Sequence, residues 1–319
     1  MSIKLKWVVA HEPYYLFENA IKQFAAEVLE KTNGAYEIEL MGISDWSVEN
    51  NMSVTADLID RRKVIELCRS GDIPLLTTYV ESLAHADPDN AYRDFSALAM
   101  PYMFSDHDHA TRVLDGPIGM GILGKLNNGL TGLAFTYSGG YRILSGANAI
   151  RTLEDFQGTR VACSLSNVSS RTVELLGGTA VPMQIDYVKT ALDNKEADIG
   201  STTYARFFTK GYETSATYIN ETHHSMFLTC LVMNGDLFNS LSDEHKVIFK
   251  EAALNAAKVE RVESVADNEV IKAQATAAGI EVVRASDEEL ARMKDATRPL
   301  YAELAPTFSE GLLDDILAA

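Results

Sequence analysis

Arg142 is the residue in this chain best suited by type and setting to recognise a small molecule, since it stands just after Ser138-Gly139-Gly140-Tyr141. A guanidinium binds a carboxylate or a sulfonate through two parallel hydrogen bonds, which suits an anion held in a cleft. A structural arginine in an inter-strand salt bridge is the alternative. Other reactive residue types do not assemble into a pattern. Asp106, His107, Asp108 and His109 are metal-ligating types, but neighbours at a helix start do not converge on one point, so they read as surface. His223-His224 reads as packed or hydrogen-bonded histidine. Cys68, Cys163 and Cys230 lack metal or C-x-x-C spacing and read as buried thiols. No Ser/His/Asp order, phosphate loop or zinc signature stands out, and Gly177-Gly178 is too short for a dinucleotide fingerprint. An enzyme reading therefore has little support, and no metal or cofactor is expected.

The elements that must position Arg142 alternate between strand and helix. Ile3, Leu5, Trp7 and Val9 share one parity; Phe17, Ala20, Ile21, Phe24 and Val28 share one helix face, and Tyr36 to Leu40 alternates again. Met41 to Ala56 reads as a polar loop holding Trp46. A helix through Leu58, Ile65 and Cys68 leads to a strand from Ile73 to Thr78, and Ser105 with Asp108 reads as a capping box. Gly132 to Tyr137 is a strand, and Ser138-Gly-Gly140 a flexible turn. Arg151 to Phe208 then carries two strand-helix-strand signals, with Ser164, Ser166 and Asn167 capping a helix from Val168 and Gln184-Ile-Asp186 capping a second. Such units place loops at the carboxyl ends of strands, where ligands bind in open α/β sheets. After the apolar strand Met226 to Met233, a helix starts at Leu241 and Ser242 and stops at Gly279, with Ile248, Ala252, Val259, Val262, Ala266 and Val270 on one face. At roughly forty residues it would be about 55 Å long.

The chain has 319 residues, 46% hydrophobic and 23% charged, which is enough for two domains. No apolar run is long enough to span a bilayer. A net charge of -17 argues against a nucleic-acid partner, because phosphate binding needs a basic face.

Several stretches resemble the DctP family, the substrate-binding proteins of TRAP transporters. Ala149-Ile-Arg-Thr-Leu-Glu-Asp-Phe-Gln-Gly158, followed by a short strand, a helix, Leu176-Gly-Gly178 and Pro182-Met183, is similar to that family's core. Met100-Pro-Tyr-Met-Phe-Ser-Asp-His-Asp-His-Ala-Thr-Arg-Val-Leu-Asp-Gly-Pro-Ile-Gly119 is similar to its most recognisable block, and Ser242-Asp-Glu-His-Lys246 to its late helix start. The resemblance implies a two-domain, periplasmic-binding-protein-like (Venus flytrap) α/β fold with a long helix spanning both domains. Residues 1–139 and 228–267 would form domain I, and residues 140–227 and 268–319 domain II. It also implies a periplasmic monomer that delivers a small organic acid, sulfonate or zwitterion to transporter membrane subunits. The start Met1-Ser-Ile-Lys-Leu-Lys6 lacks a secretory signal, so the chain is expected to be a mature form with an initiating methionine added. A ligand sensor for a receptor, or an enzyme on the same scaffold, are the other readings.

The resemblance further assigns a site. Arg142 corresponds to the family's pocket arginine, the loop His11-Glu12-Pro13-Tyr14-Tyr15 to its first pocket loop and Thr77-Thr78-Tyr79 to its third. Ile185 joins the ligand-binding set; Trp46 and Tyr204 would add aromatic walls, and Glu12 would meet a cationic group. Two positions depart from the family pattern. The carboxylate-clamp arginine is replaced by Ala162, with Arg160 two residues earlier on the same parity, and the Gln-Glu-Asn-Pro turn by Gly200-Ser201-Thr202-Thr203. Ser164, Thr202 and Thr203 would then donate neutral hydrogen bonds to the ligand.

Overall fold

A computed structural model describes residues 2–11, 13–53, 60–86 and 92–319. Among them, β1 (Ile3–Val9), β2 (Tyr36–Gly42), β3 (Leu75–Tyr79) and β4 (Leu130–Tyr141) precede β5 (Ile143–Gly146), β6 (Arg160–Cys163), β7 (Thr179–Pro182), β8 (Ile199–Thr202) and β9 (Tyr218–Glu221). β10 (Met226–Asn234) and β11 (Glu281–Arg284) follow. The first sheet has the order β2-β1-β3-β10-β4, and the second β11-β9-β5-β8-β6-β7. β1 lies parallel to β2 and β3, while β10 returns antiparallel between β3 and β4. Every residue of β10 is buried, which explains its unbroken apolar sequence: a central strand covered on both faces has no solvent side to alternate towards.

Gly139 and Gly140 are not a turn, as the sequence suggests, but part of β4. Their φ values are +85° and +79°, a region open to glycine, and the β4/β10 register slips beside them between Phe227 and Leu228. A Cβ on Gly140 would stand 2.3 Å from His107 Cε1. The kinked strand therefore passes directly from the first sheet into β5 of the second, with Arg142 at the join.

The long helix runs Asp243–Ala277, 35 residues or about 52 Å, capped by Ser242, whose hydroxyl accepts from His245 N. Phe249, Ala252, Ala253, Ala256 and Ala257 enter the core of the first sheet, and Ala275 enters that of the second. The buried face differs from the expected one beyond Ala252. Val262 is 71% exposed, Val270 57%, and Ala266 is exposed as well, while Glu260, Arg261 and Ser264 are buried. The reason is hydrogen bonding. Glu260 Oε2 accepts from Tyr137 N at 2.7 Å and Arg261 donates to Phe135 O at 3.1 Å, so the helix turns its polar residues towards β4 and its valines outward.

Other expectations change in detail. Ile43–Glu49 is a helix rather than loop, and Trp46 belongs to the first core. Asp106, not Ser105, caps the helix His107–Asp115 by accepting from His109 N at 2.7 Å. His109 is buried rather than at the surface, its Nε2 lying 2.7 Å from Ile316 O. The segment from Leu300 onward, expected with the second half, packs Leu300, Leu304, Phe308, Leu313 and Ile316 into the first core instead, whereas Met293 just before it packs in the second.

The corrected helix face makes a stability test. Val262→Asp should change the unfolding free energy by less than about 0.5 kcal/mol, whereas Phe249→Ala should cost about 3–5 kcal/mol, both measured by urea denaturation. Equal losses would contradict the assignment.

Candidate functional site

A cleft of about 400 Å³ lies between the carboxyl end of β3 and the loops that follow β6 and β7. Arg142 forms one wall. Its backbone N donates to Ser225 O at 2.9 Å, its guanidinium carbon lies 4.1 Å from the centre of the Phe227 ring, and it is only 6% exposed. One Nη donates to Glu81 Oε2 at 2.6 Å. Glu81 sits on the short helix Val80–Ala84 directly after β3, where Val80, Leu83 and Ala84 anchor it in the first core. Its other oxygen, Oε1, lies 2.7 Å from Ser164 Oγ, 3.0 Å from Ser166 Oγ and 3.2 Å from Ser169 Oγ. Ser166 also caps the helix Asn167–Leu175 by accepting from Ser169 N. Burial opposes ionisation of Glu81, but the Arg142 charge and the serine hydroxyls outweigh it and hold the carboxyl below its ordinary range.

A second charged cluster flanks the cleft. Arg61, from the helix Arg61–Ser70, and Arg206 both donate to Asp186, at 3.1 and 2.9 Å, and both arginines are buried. Burial again opposes ionisation of Asp186, and the two arginines reverse that and lower its pKa. His11, 0% exposed, packs its ring 5.6 Å from Tyr79 and 5.8 Å from Phe227, with Nε2 at 3.0 Å from Ser138 Oγ. Burial, reinforced by Arg206, Arg61 and Lys210, pushes its pKa well below the usual histidine value, so it is neutral.

Of the residues singled out in the sequence, Arg142, Tyr79, Ser164 and Ile185 line the cleft. His11 lies behind Tyr79 and Phe227 and supports them. The rest are placed elsewhere. Trp46 fills the first core; Tyr14 is 41% exposed and lies against Gly42; Thr77 Oγ1 accepts from Trp7 Nε1 at 2.8 Å. Thr202 is buried within β8, Thr203 Oγ1 faces Ser138 Oγ at 3.3 Å, and Tyr204 donates to Glu221 at 2.7 Å. Glu12 lies outside the described residues. Arg160 does not replace the missing clamp: it donates to Asp198 at 2.7 Å and to Lys195 O, and Ala162 stays buried between β7 and β8. His223 stacks on Tyr141 at 4.6 Å and His224 bonds Thr222, so neither lines the cleft.

Sequence reasoning missed Glu81, Phe227, Arg61 and Arg206. Their partners are distant in the chain, and no local spacing marks them. Asp186 was visible only as a helix cap.

Two sheets, a kinked crossing strand and a lined cleft between them define a two-domain α/β fold with a cleft between its halves. The profile of the bacterial extracellular solute-binding proteins, family 7 (DctP), matches residues 9–307, and the chain belongs to this family. A solute-binding protein of Chromohalobacter salexigens is 25% identical over 309 residues, 96% of this chain and 86% of that one. Among solved structures, a TRAP periplasmic solute-binding protein of Ochrobactrum anthropi, with its C-terminus bound in the ligand pocket, matches at TM-score 0.85, 22% identity and 99% and 94% coverage of the two chains. Another from Roseobacter denitrificans, with bound β-D-glucuronate, matches at TM-score 0.83, 25% identity and 99% and 100% coverage.

The lowered carboxyls set the acid limb of stability. Glu81 and Asp186 stabilise the fold fully above the ordinary carboxylate range, about pH 4 to 4.5, and lose that contribution as pH falls through their depressed values. The difference in unfolding temperature between wild type and Glu81→Gln should therefore shrink from pH 6 to about pH 3. A constant difference would contradict the assignment.

Proposed function

We propose that this chain is the periplasmic solute-binding component of a TRAP transporter and that it captures a small, hydroxylated organic acid in the cleft. The observation that carries this reading is Arg142, buried in the cleft wall against Phe227 in a member of this family. A guanidinium has five N–H donors, and the bond to Glu81 uses only part of that capacity. The rest of the wall is suited to a polyhydroxylated body: Ser82, Gln184 and Ser201 offer hydrogen bonds, and Met183, Ile185 and Val188 offer apolar contact. Among the lining residues the charges pair internally, Asp60 with Arg62 and Glu81 with Arg142, so a ligand charge is costly unless it meets the remaining Arg142 donors, and each further charge adds to that cost. A singly charged sugar acid is favoured on these grounds, in line with the glucuronate bound by the Roseobacter denitrificans protein.

In this reading the halves built on the two sheets close over the acid, exclude water, and strengthen its contacts with Arg142. The closed form is what the membrane subunits recognise, the ligand is released unchanged, and the binding protein works as a monomer.

A panel of uronates, aldonates and simple carboxylates, screened by thermal shift and followed by calorimetry, tests the reading. At least one sugar acid should bind, and Arg142→Ala should weaken it at least about tenfold, the loss expected for a charge-assisted hydrogen bond. Arg160→Ala should leave affinity unchanged. Equal affinity in Arg142→Ala would remove the anion-binding role.

A further inference from the structure

Glu81 joins the two halves of the molecule. Its helix is held in the first core by Val80, Leu83 and Ala84, whereas Ser164, Ser166 and Ser169 follow β6 of the second sheet. Three hydroxyls surround Oε1 and the Arg142 guanidinium meets Oε2, so both oxygens of the carboxylate are engaged. Beside it, Val168 of the serine-capped helix inserts into the first core and is 4% exposed. When the halves part, the carboxylate and the hydroxyls exchange one another for water. When they meet, each satisfies the other out of solvent, where a hydrogen bond to a charged group is strongest.

We propose that Glu81 is a positioning residue that ties the Arg142 seat to closure. It fixes the guanidinium in the cleft wall and straps the second half through Ser164 and Ser169, so that the halves stay joined for a sizeable fraction of the time before a ligand arrives. Its relevance to transport rests on the binding reading above; its physical existence does not.

The test is small-angle X-ray scattering on the full chain, freed of ligand by unfolding, dialysis and refolding. Wild type is compared with Glu81→Gln and with Ser164→Ala/Ser169→Ala, which spares the helix cap Ser166. Circular dichroism confirms that each variant is folded. Both variants should show a larger radius of gyration than wild type, corresponding to a fall of about tenfold in the closed-to-open ratio, as expected for losing hydrogen bonds to a charged group. Saturating ligand from the panel should restore the wild-type curve. A merely structural role would lower the unfolding temperature and leave the scattering curves superimposed, and superimposed curves would overturn the proposal. Because the comparison of wild type with the two variants is made before any ligand is added, separated curves with a failed ligand panel would sustain the strap while removing the binding reading.

Discussion

The contact between Arg142 and Glu81 is the constraint around which this cleft is arranged. Two opposite charges taken out of water are costly unless each is fully hydrogen-bonded. Here the carboxylate finds three hydroxyls besides the guanidinium, and the guanidinium lies over the Phe227 ring. The groups that meet this requirement come from both sheets. The charge pair can be satisfied only if β3, the β4–β5 crossing and the loop after β6 converge, and the cleft lies at that convergence.

The crossing itself depends on backbone chemistry. Gly139 and Gly140 occupy the left-handed region, and side chains there would collide with Asn268 and His107. The long helix fixes this kink with polar side chains. Asn268 donates to Gly139 O at 2.7 Å, Arg261 reaches Phe135 O and Asp115, and Glu260 accepts from Tyr137 N. Burial pushes the Glu260 carboxyl up to about 8, so it is held neutral at the turning point between the sheets. A crossing strand that bends has backbone groups no neighbouring strand can satisfy, and the helix supplies the missing partners.

Those polar contacts also explain where the sequence was legible. The strand-helix alternation, the 35-residue helix and the caps at Ser166 and Ser242 follow from local patterning, and they could be read directly. The helix face beyond Ala252 could not. Hydrophobicity points to Val262 and Val270, but the orientation is set by Glu260 and Arg261, which look like surface residues until their partners on β4 are known. The site divides in the same way. Arg142 and Tyr79 stand at places the family resemblance marks, and Ser164 and Ile185 follow strands read from local patterning, whereas Glu81 meets its partners only when β3 and β6 are brought together. Trp46 and Thr77 misled because aromatic and hydroxyl side chains serve cores and hydrogen-bonded strands as readily as pockets. Nothing in the local sequence distinguishes these uses.

A crystal structure of the protein grown with its tightest-binding sugar acid tests the account most directly. The account predicts the acid group within hydrogen-bond distance of Arg142, the sugar body between Tyr79 and Ile185, and Glu81 still bonded across the cleft. An acid bound at another surface, with no contact to Arg142, would contradict it.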